Sequence, residues 1–142
     1  MTIFAIDFDG TCVEHDYPRV GADVPGAVDT LLALVDQGHE LILWTMRSGD
    51  VLEEALAWFE ARGIPIRGAN VNPDQRSWTD SPKVYAQVYI DDAALGCPLI
   101  HPAAESQGKS ESRPYVDWPA VRRQLQRDHY LPASDEASRP TS

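Results

Sequence analysis

The sequence of 142 residues is poor in cysteine, in basic residues and in long apolar runs. Its two cysteines, Cys12 and Cys97, lie far apart, so a disulfide framework is not expected and a reducing cytoplasm is the predicted location. Twelve basic residues stand against 22 acidic ones, which gives a formal net charge of −10. Because a polyanion repels other polyanions, neither nucleic acid nor an anionic membrane is the expected partner. No apolar run approaches the roughly 20 residues that a membrane helix needs.

A chain of this length fits one domain, which buries roughly two thirds of the surface that the unfolded chain exposes. We predict a single domain over residues 1–132. Serine, proline and charged residues dominate 133–142, which indicates a disordered tail. The oligomeric state is left open.

Short apolar runs alternate with segments whose apolar residues recur at helical spacing. The predicted strands cover residues 2–8, 41–44, 64–71, 84–90 and 99–100. The predicted helices cover about 26–37, a segment from an Asp50–Glu53 capping box to Gly63, and a last segment begun by Asp117. Residues 103–114 are predicted as a linker. Such alternation predicts a three-layer α/β fold with a mostly parallel sheet and helices on both faces.

Acidic and polar side chains follow several of the predicted strands. The first strand ends in Asp7-Phe8-Asp9-Gly10-Thr11, and the fourth ends in Asp91-Asp92. Thr45 follows the second strand, and Lys83 lies shortly before the last acidic pair. Since parallel strands present their carboxyl ends at one edge, we expect these groups to gather where open α/β sheets bind ligands.

Carboxylates that lie side by side repel each other unless a cation compensates them. Mg²⁺ prefers hard oxygen ligands and is held by a few carboxylates together with water and substrate oxygens. The acidic strand ends therefore predict a magnesium site.

In order and spacing, the four motifs between Ile3 and about Asp92 resemble those of the haloacid dehalogenase superfamily of phosphohydrolases. The resemblance implies that Asp7 is the nucleophile and forms an aspartyl-phosphate. It implies that Asp9 is the general acid and base, which protonates the leaving alcohol and then activates water. An acid at Asp9 favours phosphatases over the dehalogenase branch.

The resemblance also implies the binding groups of the site. Magnesium would be held by the Asp7 side chain, the Asp9 backbone carbonyl and Asp92, with Asp91 as the alternative or supporting acid. The phosphate would be bound by Thr45, Lys83 and the backbone around them. The full predicted phosphate-binding set is Gly10, Thr45, Met46, Arg47 and Lys83. For Arg47, a substrate contact and a surface position are both compatible with the sequence.

Neither of the gaps where family members carry a cap domain is long enough for one, so the resemblance is to a minimal, capless member. The prediction is an Mg²⁺-dependent phosphatase acting on a phosphomonoester, with a small molecule as the favoured substrate. The alternatives are a catalytically idle domain that binds a protein partner, and a nucleic-acid-end phosphatase. A response-regulator receiver would place its acid pair early in the chain, whereas here it comes last. Substrate choice is assigned to the loops 11–25, which includes His15, and 72–82.

Overall fold

The computed structural model describes residues 1–102 and 113–133. The strands are β1 (Ile3–Ile6), β2 (Glu40–Leu43), β3 (Gly68–Ala69), β4 (Val88–Ile90), β5 (Leu99–Ile100) and β6 (Tyr115–Val116). The α-helices are α1 (Ala27–Asp36), α2 (Gly49–Ala61) and α3 (Trp118–Arg127), and a single 3₁₀ turn covers Gln75–Ser77.

Four of these strands form a parallel sheet in the order β3-β2-β1-β4. Strand β1 is central, and its last residue Ile6 lies opposite Leu43 of β2 and Ile90 of β4. Strands β5 and β6 form a separate antiparallel pair. The predicted α/β class with a parallel sheet flanked by helices is confirmed.

The core forms where the apolar residues of β1 and β2 meet the flanking helices. Phe4 and Phe8 are fully buried, and each one buried contributes roughly 1.5–3 kcal/mol to folding. The Phe8 ring packs edge-on against Trp58 of α2 at 5.6 Å, and Phe4 packs against Tyr130 at 5.3 Å. Phe8, next to Asp7, thus anchors the chain just beyond β1 in the core.

The third and fourth strands are shorter than the sequence predicts. Only Gly68–Ala69 of the predicted 64–71 pairs as a strand: Pro65 has no N–H to donate to a ladder before it, and the left-handed φ of 57° at Asn70 ends it. Only Val88–Ile90 of the predicted 84–90 is a strand. Both shortened strands lie at the edges of the sheet.

Of two predicted helix starts, that of α3 is confirmed and that of α2 is corrected. Asp117 caps α3, since its Oδ1 accepts a 3.1 Å hydrogen bond from the Ala120 amide. The Asp50 capping box is wrong, because Ser48 is the N-cap of α2 and Asp50 lies in the first turn. There the carboxylate favours the helix through the dipole alone.

The remaining sequence predictions concern the end of the chain. Most of the predicted linker, residues 103–112, and residues 134–142 of the predicted tail lie outside the described residues. Strand β6, which directly follows the undescribed segment, was not predicted. Among residues 1–102 and 113–133, no helix combines the length and the apolar character needed to cross a membrane.

Candidate functional site

Three carboxylates meet at the carboxyl edge of the sheet. Asp7 follows β1, and Asp91 and Asp92 follow the neighbouring strand β4. One carboxylate oxygen of each lies within 4.8 Å of the others. The sequence prediction that these acids gather at one edge is therefore met in the structure.

Thr11 links the two strand ends. Its hydroxyl donates a 2.7 Å hydrogen bond to Asp7 Oδ2 and accepts one of 3.2 Å from the Asp92 amide. The residue is fully buried, and its carbonyl accepts a 2.7 Å bond from the indole N–H of Trp118 at the start of α3. Thr11 is the last residue of the motif that begins at Asp7, but it can bridge the two strand ends only because β4 lies beside β1.

The acids are held close together at an electrostatic cost. Burial raises the pKa of Asp7 to about 8, with a further increase from the neighbouring Asp92 and Asp91 and an opposing hydrogen bond from Thr11. Burial and the neighbouring Asp92 also raise the pKa of Asp91. In the part of the chain that the structure describes, no arginine or lysine pairs with these three acids. Three crowded, hard oxygen donors without such a partner could hold a metal ion.

His15 reaches the cluster from the loop after β1. Its Nε2 lies 2.8 Å from Asp92 Oδ2, and the two side chains are 14% and 15% exposed. This hydrogen bond joins the loop after β1 to the end of β4. A Cβ on Gly10 would lie 2.1 Å from His15 Nε2, so glycine is needed for this approach.

Asp9 is not one of the three clustered acids and pairs with Arg47. The guanidinium Nε donates to Asp9 Oδ2 at 2.8 Å and Nη2 donates to Oδ1 at 2.7 Å. The Asp9 side chain is 17% exposed and that of Arg47 is 1% exposed. The hydrogen bonds to Asp9 raise the pKa of Arg47 above its usual value.

The other N–H groups of Arg47 bond to the backbone. Nη1 and Nη2 donate to three carbonyl oxygens, those of Pro18, Val51 and Arg19. All five donors of the guanidinium are then occupied by the protein. The arginine lies inside the structure, and in this arrangement it has no N–H left for the predicted phosphate contact.

Thr45 and Met46 lie at the end of β2. The Thr45 amide donates to Asn70 Oδ1 at 2.8 Å, and its hydroxyl oxygen accepts from the Arg47 amide at 3.1 Å. Asn70, at the end of β3, adopts a left-handed φ of 57°. The Thr45 hydroxyl proton and the backbone N–H of the 97% exposed Met46 have no acceptor among the described residues, so both remain available to a ligand.

Two residues of the predicted phosphate-binding set lie otherwise than expected. The Gly10 amide donates to the Val13 carbonyl at 2.7 Å and closes a turn. Lys83 is exposed, and its Nζ lies 5.8 Å from the ring centroid of Tyr89. The structure does not pair Lys83 with the acids within the described chain.

Cys12, the thiol beside the motif, is a packing residue. It is fully buried, its Sγ donates to the Asp7 carbonyl at 3.4 Å, and burial raises its pKa well above the ordinary value. A reactive thiolate is not formed there.

Comparisons with known proteins are sparse. Neither a protein-family model nor a curated protein matches the chain. A solved structure, described as that of a conserved protein encoded by a locus of Bacteroides thetaiotaomicron, matches with a TM-score of 0.71 and 35% sequence identity. The match covers 89% of this chain and 91% of that one. At this identity and coverage, the chain belongs to the same family as that conserved protein.

Proposed function

We propose that the protein is an Mg²⁺-dependent phosphatase of the haloacid dehalogenase type without a cap domain. One observation carries the proposal. Asp7, Asp91 and Asp92 meet at the carboxyl edge of a parallel sheet, in the motif order typical of these enzymes. Burial, together with the neighbouring acids, raises the pKa of Asp7, and a bound divalent cation would lower it again.

The side chain of Asp7, the Asp9 carbonyl and Asp92 would hold the ion, with Asp91 beside them. When bound, Mg²⁺ would neutralise the repulsion between the phosphoryl oxygens and the attacking carboxylate. The proton that Asp7 retains without the ion would be displaced, which frees its oxygen for attack. His15 and Thr11 keep Asp92 and Asp7 in place through the hydrogen bonds described above.

In the proposed reaction, an Asp7 oxygen bonds to phosphorus as the ester P–O bond breaks, and the alcohol leaves with a proton from Asp9. Water then attacks phosphorus and gives its proton to Asp9, which releases inorganic phosphate and restores Asp7. Each Asp9 oxygen keeps a lone pair outside the Arg47 fork that can carry the proton. Proton transfer of this kind is worth about 10²- to 10⁴-fold in rate.

Thr45 and Met46 would bind the phosphate oxygens through their free hydroxyl and amide protons, and Asn70 orients Thr45 for this. The proposed steps assign no role to Lys83. A small phosphomonoester is the proposed substrate, because the net charge of −10 opposes long polyanions.

The test is a panel of sugar phosphates, nucleotides, aryl phosphates, phosphopeptides and phosphorylated oligonucleotides, each with Mg²⁺ and with chelator. We expect Mg²⁺-dependent phosphate release that Asp7→Asn abolishes. The exposed acid Asp36, at the end of α1, supplies the matched control, since Asp36→Asn removes the same charge away from the site and its loops. Full activity in Asp7→Asn, or no turnover on any substrate, would contradict the proposal and favour an idle domain that binds a partner.

A further inference from the structure

Arg47 is the most deeply enclosed charged side chain of the described residues, at 1% exposure. A guanidinium is held there by five hydrogen bonds and by two aromatic rings, with Cζ 5.1 Å from the Phe8 centroid and 5.2 Å from the Tyr17 centroid. A buried charge is tolerated only where pairing and hydrogen bonds are complete. The site is therefore built around this arginine.

The hydrogen bonds of Arg47 connect two parts of the site. Two of its N–H groups hold the Asp9 carboxylate, and two others hold the carbonyls of Pro18 and Arg19. Those carbonyls belong to residues 14–20, here called the strap. Its other end is held by His15, which bonds to Asp92.

The strap thus runs from the end of β4 to the end of β2 and passes beside Asp9. Backbone bonds from Glu14 to Ala22 at 2.8 Å and from Arg19 to Asp16 at 2.9 Å hold its shape. A lysine at position 47 would keep the charge but not this pattern, because an ammonium lacks the planar fork that bonds both carboxylate oxygens.

We propose that Arg47 is the positioning residue of this site, which fixes the direction of the Asp9 carboxylate and holds the strap beside it before any ligand binds. The kinetic part of this inference rests on the proposed phosphatase function. The structural part does not, since the contacts of Arg47 are complete without substrate.

The first experiment measures the strap itself. Limited trypsin digestion of the folded full chain cuts after Arg19 only when the strap opens, and the masses of fragments 1–19 and 20–142 identify that cut. We expect Arg47→Lys to speed this cut at least about tenfold, because the strap of the variant can open without first breaking the hydrogen bonds of the guanidinium. An unchanged rate in a folded Arg47→Lys protein would overturn the inference.

Arg62 provides a matched control. It forms the same bidentate pair with Asp23, at 3.0 and 2.9 Å, and its Cζ lies 4.2 Å from the Trp58 centroid. Arg62→Lys loses a bidentate fork outside the strap, at a pair whose side chains are 30% and 43% exposed, so the cut after Arg19 should keep the wild-type rate. Equal acceleration in both variants would assign the effect to general loosening and overturn the inference.

A measurement on the unmodified protein covers the case in which Arg47→Lys does not fold. We expect the Glu14 and Arg19 amides to exchange with deuterium at least about 100-fold more slowly than in an unstructured peptide. Exchange at the unstructured rate would show that the strap is not held, and would overturn the inference without any variant.

The second experiment separates positioning from substrate binding. With Mg²⁺ and an aryl phosphate, Arg47→Lys should lower kcat about 100-fold and leave KM within about twofold, because a displaced acid affects the reaction and not the binding. In an Asp9→Asn background the same change should have no further effect on kcat. A raised KM with unchanged kcat, or effects that simply add, would refute the positioning role. No turnover by the wild type would refute the phosphatase proposal alone, since the strap measurements still stand.

Discussion

Replacing Asp7 by asparagine should stabilise the metal-free protein while it destroys the site. In the folded chain the pKa of Asp7 is raised from 3.8 to about 8, so at pH 7 folding requires this carboxyl to take up a proton that the unfolded chain does not hold. At 1.36 kcal/mol for each pKa unit, this costs about 4 kcal/mol at pH 7. Asparagine has the same shape and no charge, and its carbonyl can still accept from Thr11.

The assay is thermal unfolding at pH 7 in chelator. We expect Asp7→Asn to raise Tm by roughly 5–12 °C, since about 1 kcal/mol moves Tm by about 3 °C for a domain of this size. With Mg²⁺ at 100 times its Kd the wild type should gain about 2.7 kcal/mol, and Asp7→Asn should gain little. Asp36→Asn should shift Tm by less than about 3 °C and leave the gain from Mg²⁺ unchanged. A Tm for Asp7→Asn at or below that of the wild type in chelator would refute the reasoning, because the buried Asp7 carboxyl would then not destabilise the metal-free protein.

The same raised pKa predicts how stability depends on pH. Between pH 4 and pH 8 folded Asp7 binds a proton that the unfolded chain releases, so the metal-free protein should lose stability as pH rises through this window. Asp91, whose pKa is also raised, acts in the same direction. Chemical denaturation of the wild type in chelator at several pH values should show this fall in the free energy of unfolding. The fall should be smaller with Mg²⁺, and it should also be smaller in Asp7→Asn. Stability that rises from pH 4 to pH 8 in chelator would contradict the assignment.

Gly10→Ala should cost about 1–3 kcal/mol in urea unfolding, because φ is +80° and the new Cβ would lie 2.1 Å from His15 Nε2 and 2.4 Å from Asp92 Oδ2. An unchanged midpoint would show that the close approach is not maintained in solution. Trp118→Phe should cost about 1–3 kcal/mol beyond its loss of volume, since the buried Thr11 carbonyl loses its 2.7 Å donor. A loss no larger than that of an apolar truncation of similar volume elsewhere in the core would argue against this. Chelation of a protein purified with Mg²⁺ should lower its Tm reversibly, and an identical Tm before and after would argue against a resident ion.

Much of the fold follows from local patterns. The apolar runs and their polar ends located β1 and β2 within two residues at each end, and Asp117 marked the start of α3 because an N-cap acts within its own first turn. The edge strands were placed too long, since the length of an edge strand depends on how much of its single neighbour it pairs with.

The acidic cluster could also be predicted from the sequence. Asp7, Asp91 and Asp92 each follow a parallel strand directly, and parallel strands end at one edge whatever their order. The position of Lys83 could not be predicted in this way, because a loop separates it from β4 and its side chain packs on Tyr89.

By itself, then, the sequence determined the α/β class, the edge that carries the site and the acids that form it, because strand ends and their residues are local properties of the chain. Only the tertiary structure decided that Arg47 holds Asp9, 38 residues away, and that His15 holds Asp92, 77 residues away. The sheet order places β1 between β2 and β4, so the loop after β1 touches the ends of both neighbours. Contacts between loops depend on that strand order, which cannot be read from the periodicity or spacing of residues within one segment.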